Sequence, residues 1–206
     1  LAGGHWSGSG WTGQPLIVKW DAETKAIMNL YPDKQSKSDL VEVIYATLDG
    51  HIYFLDLADG SYTRDPIEVG MCFKGAGSLD PRGYPIMYVG SGDYLSGKVP
   101  RMYIVSLIDG KILYERSGSD SFALRNNWTA FDSSPLVDAE TDTLIWAAES
   151  GIIYTKKLNT REEEIMEYPI MLYENDTCYV ANDYVKRFTE MEYETFKEPN
   201  RMQIYE

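Results

Sequence analysis

Basic excess is missing from this chain. Its 206 residues carry 19 Lys and Arg against 32 Asp and Glu, a formal net charge of −13. Such a surface repels phosphate backbones, which argues against nucleic acid as a partner. Acidity of this size suits solubility, cations or a basic partner, and does not choose among them. Long apolar runs are missing too: no stretch reaches the ~18 residues that a membrane-spanning helix needs. Histidine and cysteine are scarce, with two of each. His5 and His51 lack ligand spacing, so no zinc site is expected, and His51, directly after a turn, is expected at the surface. Cys72 and Cys178 are not spaced as a metal motif; two buried thiols are expected rather than one long-range disulfide. The chain opens on Leu1 and carries no charged and apolar leader pattern, so a removed leader or a piece of something longer is expected.

Helical periodicity is weak throughout. The best helical stretch is REEEIMEY (161–168), which reads equally well as a charged loop or outer strand. What is present is strand chemistry. Hydrophobic residues make up 44% and aromatics 13%, with 16 Tyr, 5 Trp and 17 Gly, a mixture that favours pleated strands and tight turns.

The strands come in a repeated sentence. Residues 43–60 read VIYATLDGHIYFLDLADG, 86–110 read IMYVGSGDYLSGKVPRMYIVSLIDG, and 144–160 read LIWAAESGIIYTKKLNT. LIVKWDAETK (16–25) looks like the second half of such a unit, and CYVANDYVKRFTEMEYET (178–195) like a worn copy whose CYVAN is its first strand. Each unit is a short apolar strand, a tight turn, a second strand and a closing turn. Asp49-Gly50 supplies the positive φ of a two-residue hairpin, and Asp59-Gly60 and Asp109-Gly110 close the second strands. Units recur every 35–50 residues or so, the length of a four-stranded antiparallel sheet with its turns. Such a sheet buries both faces only when packed against neighbours. The predicted fold is all-β: a β-propeller of four-stranded antiparallel blades over residues 1–206. Its four to five units lie near 6–36, 40–70, 84–117, 134–168 and 172–198, as a closed ring or a segment of a larger one.

These units resemble the pyrroloquinoline-quinone-type repeat of quinoprotein-like propellers, which runs small-x-x-Asp-Gly-x-(Leu/Ile)-Tyr-x-Leu-Asp-x-x-(Thr/Asp)-Gly. Asp49, Gly50, Ile52, Tyr53, Leu55, Asp56, Asp59 and Gly60 match it; so do Tyr103, Val105, Asp109 and Gly110, and Gly151, Ile153, Tyr154 and Leu158. The resemblance implies seven- or eight-bladed rings, an extracytoplasmic location and, for the enzymes among them, a quinone held over Ca²⁺. This chain departs from the enzymes: it has no adjacent Cys-Cys pair and no compact Glu/Asn/Asp group for six to eight oxygens. No quinone, Ca²⁺ or other cofactor is therefore expected.

Five-bladed propellers can also be glycosidases, with carboxylates converging on the axis. Asp49, Asp93 and Glu149 follow strands in three units and would serve that alternative as acid and base. The plainer reading makes Asp49 a turn former, Asp93 a loop residue and Glu149 a solvated one. GSGD (90–93) has no helix after it to bind phosphate, and SGSG (7–10) and FDSSP (131–135) lack a nucleophile elbow. The loops are richer. Trp11, then Arg82 and Tyr84, then Arg125, Asn126 and Trp128 set flat apolar faces beside pointed donors, as a protein or sugar surface requires. The competing role is structural, with Trp11 and Trp20 plugging between blades. Asn127-Trp-Thr and Asn175-Asp-Thr are glycosylation sequons by pattern, at a frequency near chance. The expected function is a non-catalytic extracytoplasmic module for protein or glycan binding. The alternatives are a carbohydrate-active propeller and a quinone-dependent oxidoreductase.

Overall fold

The computed structural model describes residues 13–92, 97–123, 125–158, 160 and 177–178. Three four-stranded antiparallel sheets follow one another along the chain. The first holds β1 (Leu16–Val18), β2 (Glu42–Ala46), β3 (His51–Asp56) and β4 (Ile67–Glu68). The second holds β5 (Ser78–Leu79), β6 (Ile86–Gly90), β7 (Arg101–Ser106) and β8 (Ile112–Ser117), and the third β9 (Leu136–Asp138), β10 (Thr143–Ala147), β11 (Ile153–Lys157) and β12 (Thr177–Cys178). Within each sheet, strand order follows chain order.

Side-chain alternation shows how the sheets stack. In the second sheet Met87, Val89, Tyr103 and Val105 join a core with Ile44, Ile52 and Phe54 of the first. The residues between them, Ile86, Tyr88, Met102 and Ile104, join a core with Leu144, Trp146 and Tyr154 of the third. Both faces of the middle sheet are thus consumed, and every residue of β6 is buried. Sheets that succeed each other in this way, each shielding its neighbour, are blades of a β-propeller. The described residues make an arc of three blades.

Two expected units regroup. LIVKWDAETK is not the second half of an earlier unit: Leu16–Val18 pairs with β2 and opens the first sheet. CYVAN does not open a fifth unit among the described residues, since Thr177–Cys178 pairs with β11 and closes the third sheet. A short strand carries no mark of which neighbour it will pair with, so sequence alone places each fragment on the wrong side of a blade boundary. Helix occurs where no periodicity announced it, as α1 (Ala22–Ile27) and α2 (Pro32–Gln35) between β1 and β2. Two turns or fewer are too short to show a period, but their caps are legible. Asp21 accepts from the Thr24 amide and hydroxyl at the start of α1. Pro32 begins α2 at a position where the missing N–H costs nothing. The helical candidate at 161–168 lies outside the described residues.

The hairpins are looser than the two-residue turn expected. Residues 47–50 separate β2 from β3, closed by the Thr47 amide on the His51 carbonyl and the Gly50 amide on the Thr47 carbonyl. Gly50 has φ +85°, which explains the glycine. Cys72 is fully buried, as expected of a core thiol; the Cys178 side chain lies outside the described residues.

Candidate functional site

Each blade has two ends. One carries the β2–β3, β6–β7 and β10–β11 connections, together with the straps that run from the last strand of one blade to the first of the next. Residues 69–77 form the first strap and 118–135 the second. Both are pinned at equivalent points. The Phe73 amide bonds the Thr47 carbonyl, and the Phe131 amide bonds the Ser91 carbonyl. Cys72 accepts from the Gly92 amide, and Ala130 from the Glu149 amide. Phe73 then meets Tyr103 edge-on, ring centroids 6.3 Å apart, and Phe131 meets Tyr154 likewise at 6.0 Å. Each strap therefore locks its own blade to the following one.

The same bonds fix the register of the candidate carboxylates. Leu48, Gly92 and Glu149 hold one position; Asp49 and Ser150 hold the next. Glu149 is therefore not the counterpart of Asp49 that the sequence pattern suggests. The third hairpin carries Glu149-Ser150-Gly151 against Leu48-Asp49-Gly50, so matching acid to acid slips the alignment by one. Glu149 is exposed, and Asp93 lies outside the described residues.

Asp49 is buried and engaged. It accepts from the Thr47 hydroxyl, from the Tyr53 hydroxyl at 2.7 Å and from the His51 amide at 3.2 Å. Burial works to raise its pKa, but these donors outweigh burial and hold it below the usual carboxylate value. Accepting charge beside Tyr53 pushes that phenol up to about 12. Asp49 thus works as a turn lock. His51 is half-buried rather than a surface residue, since its ring stacks on Tyr53 at 5.6 Å.

The ligand candidates divide between the two ends. Arg125, Asn126 and Trp128 sit together on the second strap at the hairpin end, all exposed, with the Arg125 guanidinium 3.7 Å from the Trp128 ring centroid. Trp128 is 45% exposed and nearby Phe122 41%. Arg82 and Tyr84 lie between β5 and β6, at the opposite end. Arg82 binds both oxygens of Asp80 and reaches across to Asp142 and Thr160 of the third blade, while stacking over Tyr84 at 4.9 Å. Its donors are spent on tying two blades. Trp11 lies outside the described residues; Trp20 is buried and donates to Glu42 at 2.9 Å.

Sequence reasoning missed the ion-pair clusters at this opposite end. Glu42, fully buried, receives Arg64, Trp20 and Thr63, while Arg64 also reaches the Leu107 carbonyl of the second blade. Asp56 receives Lys34 at 2.8 Å and Lys37 at 2.7 Å, and the two lysines draw its pKa well below the usual range. Among the described residues no three His, Cys, Asp or Glu side chains are grouped to hold a metal ion, and no helix is long and apolar enough to cross a membrane.

Neither a protein-family model nor a curated protein sequence matches the chain. Among solved structures it is similar to BamB from Moraxella catarrhalis, at 17% identity and a TM-score of 0.42. That match takes in 58% of this chain and 35% of BamB, so the chain spans about a third of that protein's length.

Proposed function

We propose that the chain is a non-catalytic binding or scaffolding module that captures a protein partner on the second strap, through Trp128, Arg125 and Phe122. One observation carries the reading: the Arg125 guanidinium sits over the ring of an exposed Trp128, 3.7 Å from its centroid, in a strap whose neighbouring residues are anchored. Arg and Trp are the side chains that dominate protein interfaces, and a stacked pair is preorganised. Arg125 sits over the indole and is itself exposed, which suits a carboxylate-bearing protein surface better than a sugar ring seeking that face. Asp49 supports the non-catalytic side, since its oxygens serve the hairpin. The pyrroloquinoline-quinone-like repeat and the extracytoplasmic location come from the resemblance of the repeats, and no cofactor enters this reading.

The experiment places a photo-crosslinking residue at Asn126 in cells that produce the chain. A discrete protein adduct is expected; Trp128→Ala and Arg125→Ala should each reduce it at least tenfold with the melting temperature unchanged. No adduct, or a fall in melting temperature with the adduct retained, refutes the reading. Retention on a glycan array, lost in Trp128→Ala, would transfer the strap to carbohydrate.

A further inference from the structure

One tyrosine recurs in all three blades. The strand pairings place Tyr53, Tyr103 and Tyr154 at the same position of the first, second and third sheets. In the first blade the Tyr53 hydroxyl donates to Asp49 of its own hairpin at 2.7 Å. In the third, Ser150 stands where Asp49 stands, and that hairpin offers no carboxylate at the position. The Tyr154 hydroxyl goes instead to the second strap, donating to Asp120 at 3.1 Å.

Asp120 organises the entry to the exposed stretch 125–128. Its carboxylate accepts from the Phe122 amide at 3.0 Å and from Arg116 of β8 at 3.1 Å, and its carbonyl accepts from the Ala123 amide at 3.1 Å. Arg116 also lies over the Tyr154 ring, 4.7 Å from its centroid. On the exit side, Phe131 packs against that same ring, centroids 6.0 Å apart. Tyr103 meets Phe73 of the first strap in the same way, so the ring contact belongs to the crossing, and the hydroxyl bond to Asp120 adds a second hold. Tyr154 is fully buried. Burial and the Asp120 charge push its pKa up, so the hydroxyl stays a donor at neutral pH. One side chain of the third blade therefore touches the strap on both sides of Arg125 and Trp128.

We propose that Tyr154 is the positioning residue of the capture strap: its hydroxyl fixes the entry through Asp120, its ring fixes the exit through Phe131, and together they set how Arg125 and Trp128 are presented. This rests on the reading of that strap as the capture surface. A stretch held at both feet by one buried side chain loses little freedom when a partner closes on it. Released at its entry, it must be ordered on binding, which lowers affinity without removing any contact residue.

The test is Tyr154→Phe, which removes the hydroxyl and keeps the ring. Tyr53→Phe, which removes the equivalent hydroxyl from the first blade, is the control. Two readouts are taken on the 206-residue chain: residue-resolved hydrogen exchange of the free protein by NMR, and photo-crosslinking from Asn126 in cells. In Tyr154→Phe the Phe122 and Ala123 amides should exchange at least tenfold faster than in wild type, with the β10–β11 amides unchanged, and the adduct should fall at least threefold. Tyr53→Phe should leave the strap amides and the adduct as in wild type. Unchanged exchange at Phe122 and Ala123 overturns the proposal. So does faster exchange spread equally through β10 and β11, which would make Tyr154 a core residue alone. An undiminished adduct from a loosened strap overturns it, as does an equal fall in Tyr53→Phe. A wild type that gives no adduct refutes the capture reading, and the exchange pattern then decides by itself whether Tyr154 holds the stretch in place.

Discussion

Gly90→Ala tests whether the second strap is pressed onto the blade beneath it. Gly90 ends β6, and Ala46 and Ala147 hold its position in the other blades, so a methyl is compatible with the strand itself. What forbids it here is the strap: a Cβ at Gly90 would lie 2.2 Å from the Phe131 carbonyl oxygen and 2.4 Å from the Phe131 Cβ. Both are far inside contact distance, so the strap must retreat by about 1 Å. It is held by the Phe131 amide on Ser91 at 3.0 Å, the Glu149 amide on Ala130 at 3.0 Å, and the Phe131 ring in the inter-blade core. Overpacking of a tight core costs about 1–3 kcal/mol. Weakening one strap hydrogen bond adds about 1 kcal/mol. Against this, alanine restricts the unfolded chain and returns about 0.4–1 kcal/mol. The balance is a loss of about 2–3 kcal/mol, or roughly 4–12 °C in melting temperature for a chain of this size. Thermal unfolding followed by circular dichroism, with urea midpoints as a second measure, reads it. Ala46→Gly is the control, with an expected loss under about 1 kcal/mol. A Gly90→Ala protein that melts at or above wild type would mean that the strap does not press on β6, and the inter-blade lock assigned to Phe131 would go with it.

Two further perturbations address the opposite end. Glu42→Gln removes the charge facing buried Arg64, whose side chain is 2% exposed; a lost partner in a buried pair costs about 3–5 kcal/mol, read as a urea midpoint shift at constant slope. A loss under 1 kcal/mol or so would show that the remaining carbonyl and amide acceptors suffice for Arg64. Asp56, drawn down by Lys34 and Lys37, contributes stability that is fully present above its unfolded value of 3.8 and is lost as pH falls toward its lower folded value. Stability should therefore drop below about pH 4, more steeply than in Asp56→Asn, and identical acid limbs would refute the assignment.

Strands and hairpins were legible because their signal is local. Alternation in VIYAT and HIYFLD, and glycine at positive φ in Gly50, Gly60 and Gly110, need no knowledge of distant residues. Blade boundaries were not legible from these, because β1, β5 and β9 are two or three residues long and carry no alternation to read. A better marker stands in the sequence. Phe73-Lys-Gly-Ala-Gly precedes β5 and Phe131-Asp-Ser-Ser-Pro precedes β9, an aromatic five residues before each first strand; Trp11-Thr-Gly-Gln-Pro stands in the same place before β1. The buried ion pairs were illegible for another reason. Glu42, Arg64, Lys34 and Asp56 look like ordinary solvated charges in sequence; Lys34 reaches Asp56 only because residues 19–41 cross the blade end, and Arg64 reaches Glu42 only because the segment after β3 folds back beside it. Of the six proposed ligand residues, the strap trio Arg125, Asn126 and Trp128 shares a surface, whereas Arg82 and Tyr84 sit at the other end because the β5–β6 turn faces away from the straps.

The same distribution explains why recognition is assigned to one strap. At the β5–β6 end, charge is already neutralised inside the fold: Glu42 by Arg64, Asp56 by Lys34 and Lys37, Asp80 and Asp142 by Arg82. A partner there would have to displace charge-assisted bonds that hold neighbouring blades, and would gain little for the desolvation. At the hairpin end the first strap runs from Val69 to Gly77 with Met71, Cys72 and Phe73 all buried, so its length is used up by the crossing. The second strap spans 118–135, twice as long: Asp120, which accepts from the Tyr154 hydroxyl, and Ala123, buried in the inter-blade core, hold its first part, and Thr129 to Asp132 pack over Gly118, Gly90 and Gly75. The surplus is the exposed stretch 125–128 between those anchors, which carries Arg125 and Trp128. Residues that a crossing does not need, placed beside a crossing that cannot move, combine exposure with a fixed base. Shortening that stretch should therefore abolish capture while leaving the Phe131–Tyr154 lock and the melting temperature intact; a large loss of stability would mean that the surplus belongs to the core.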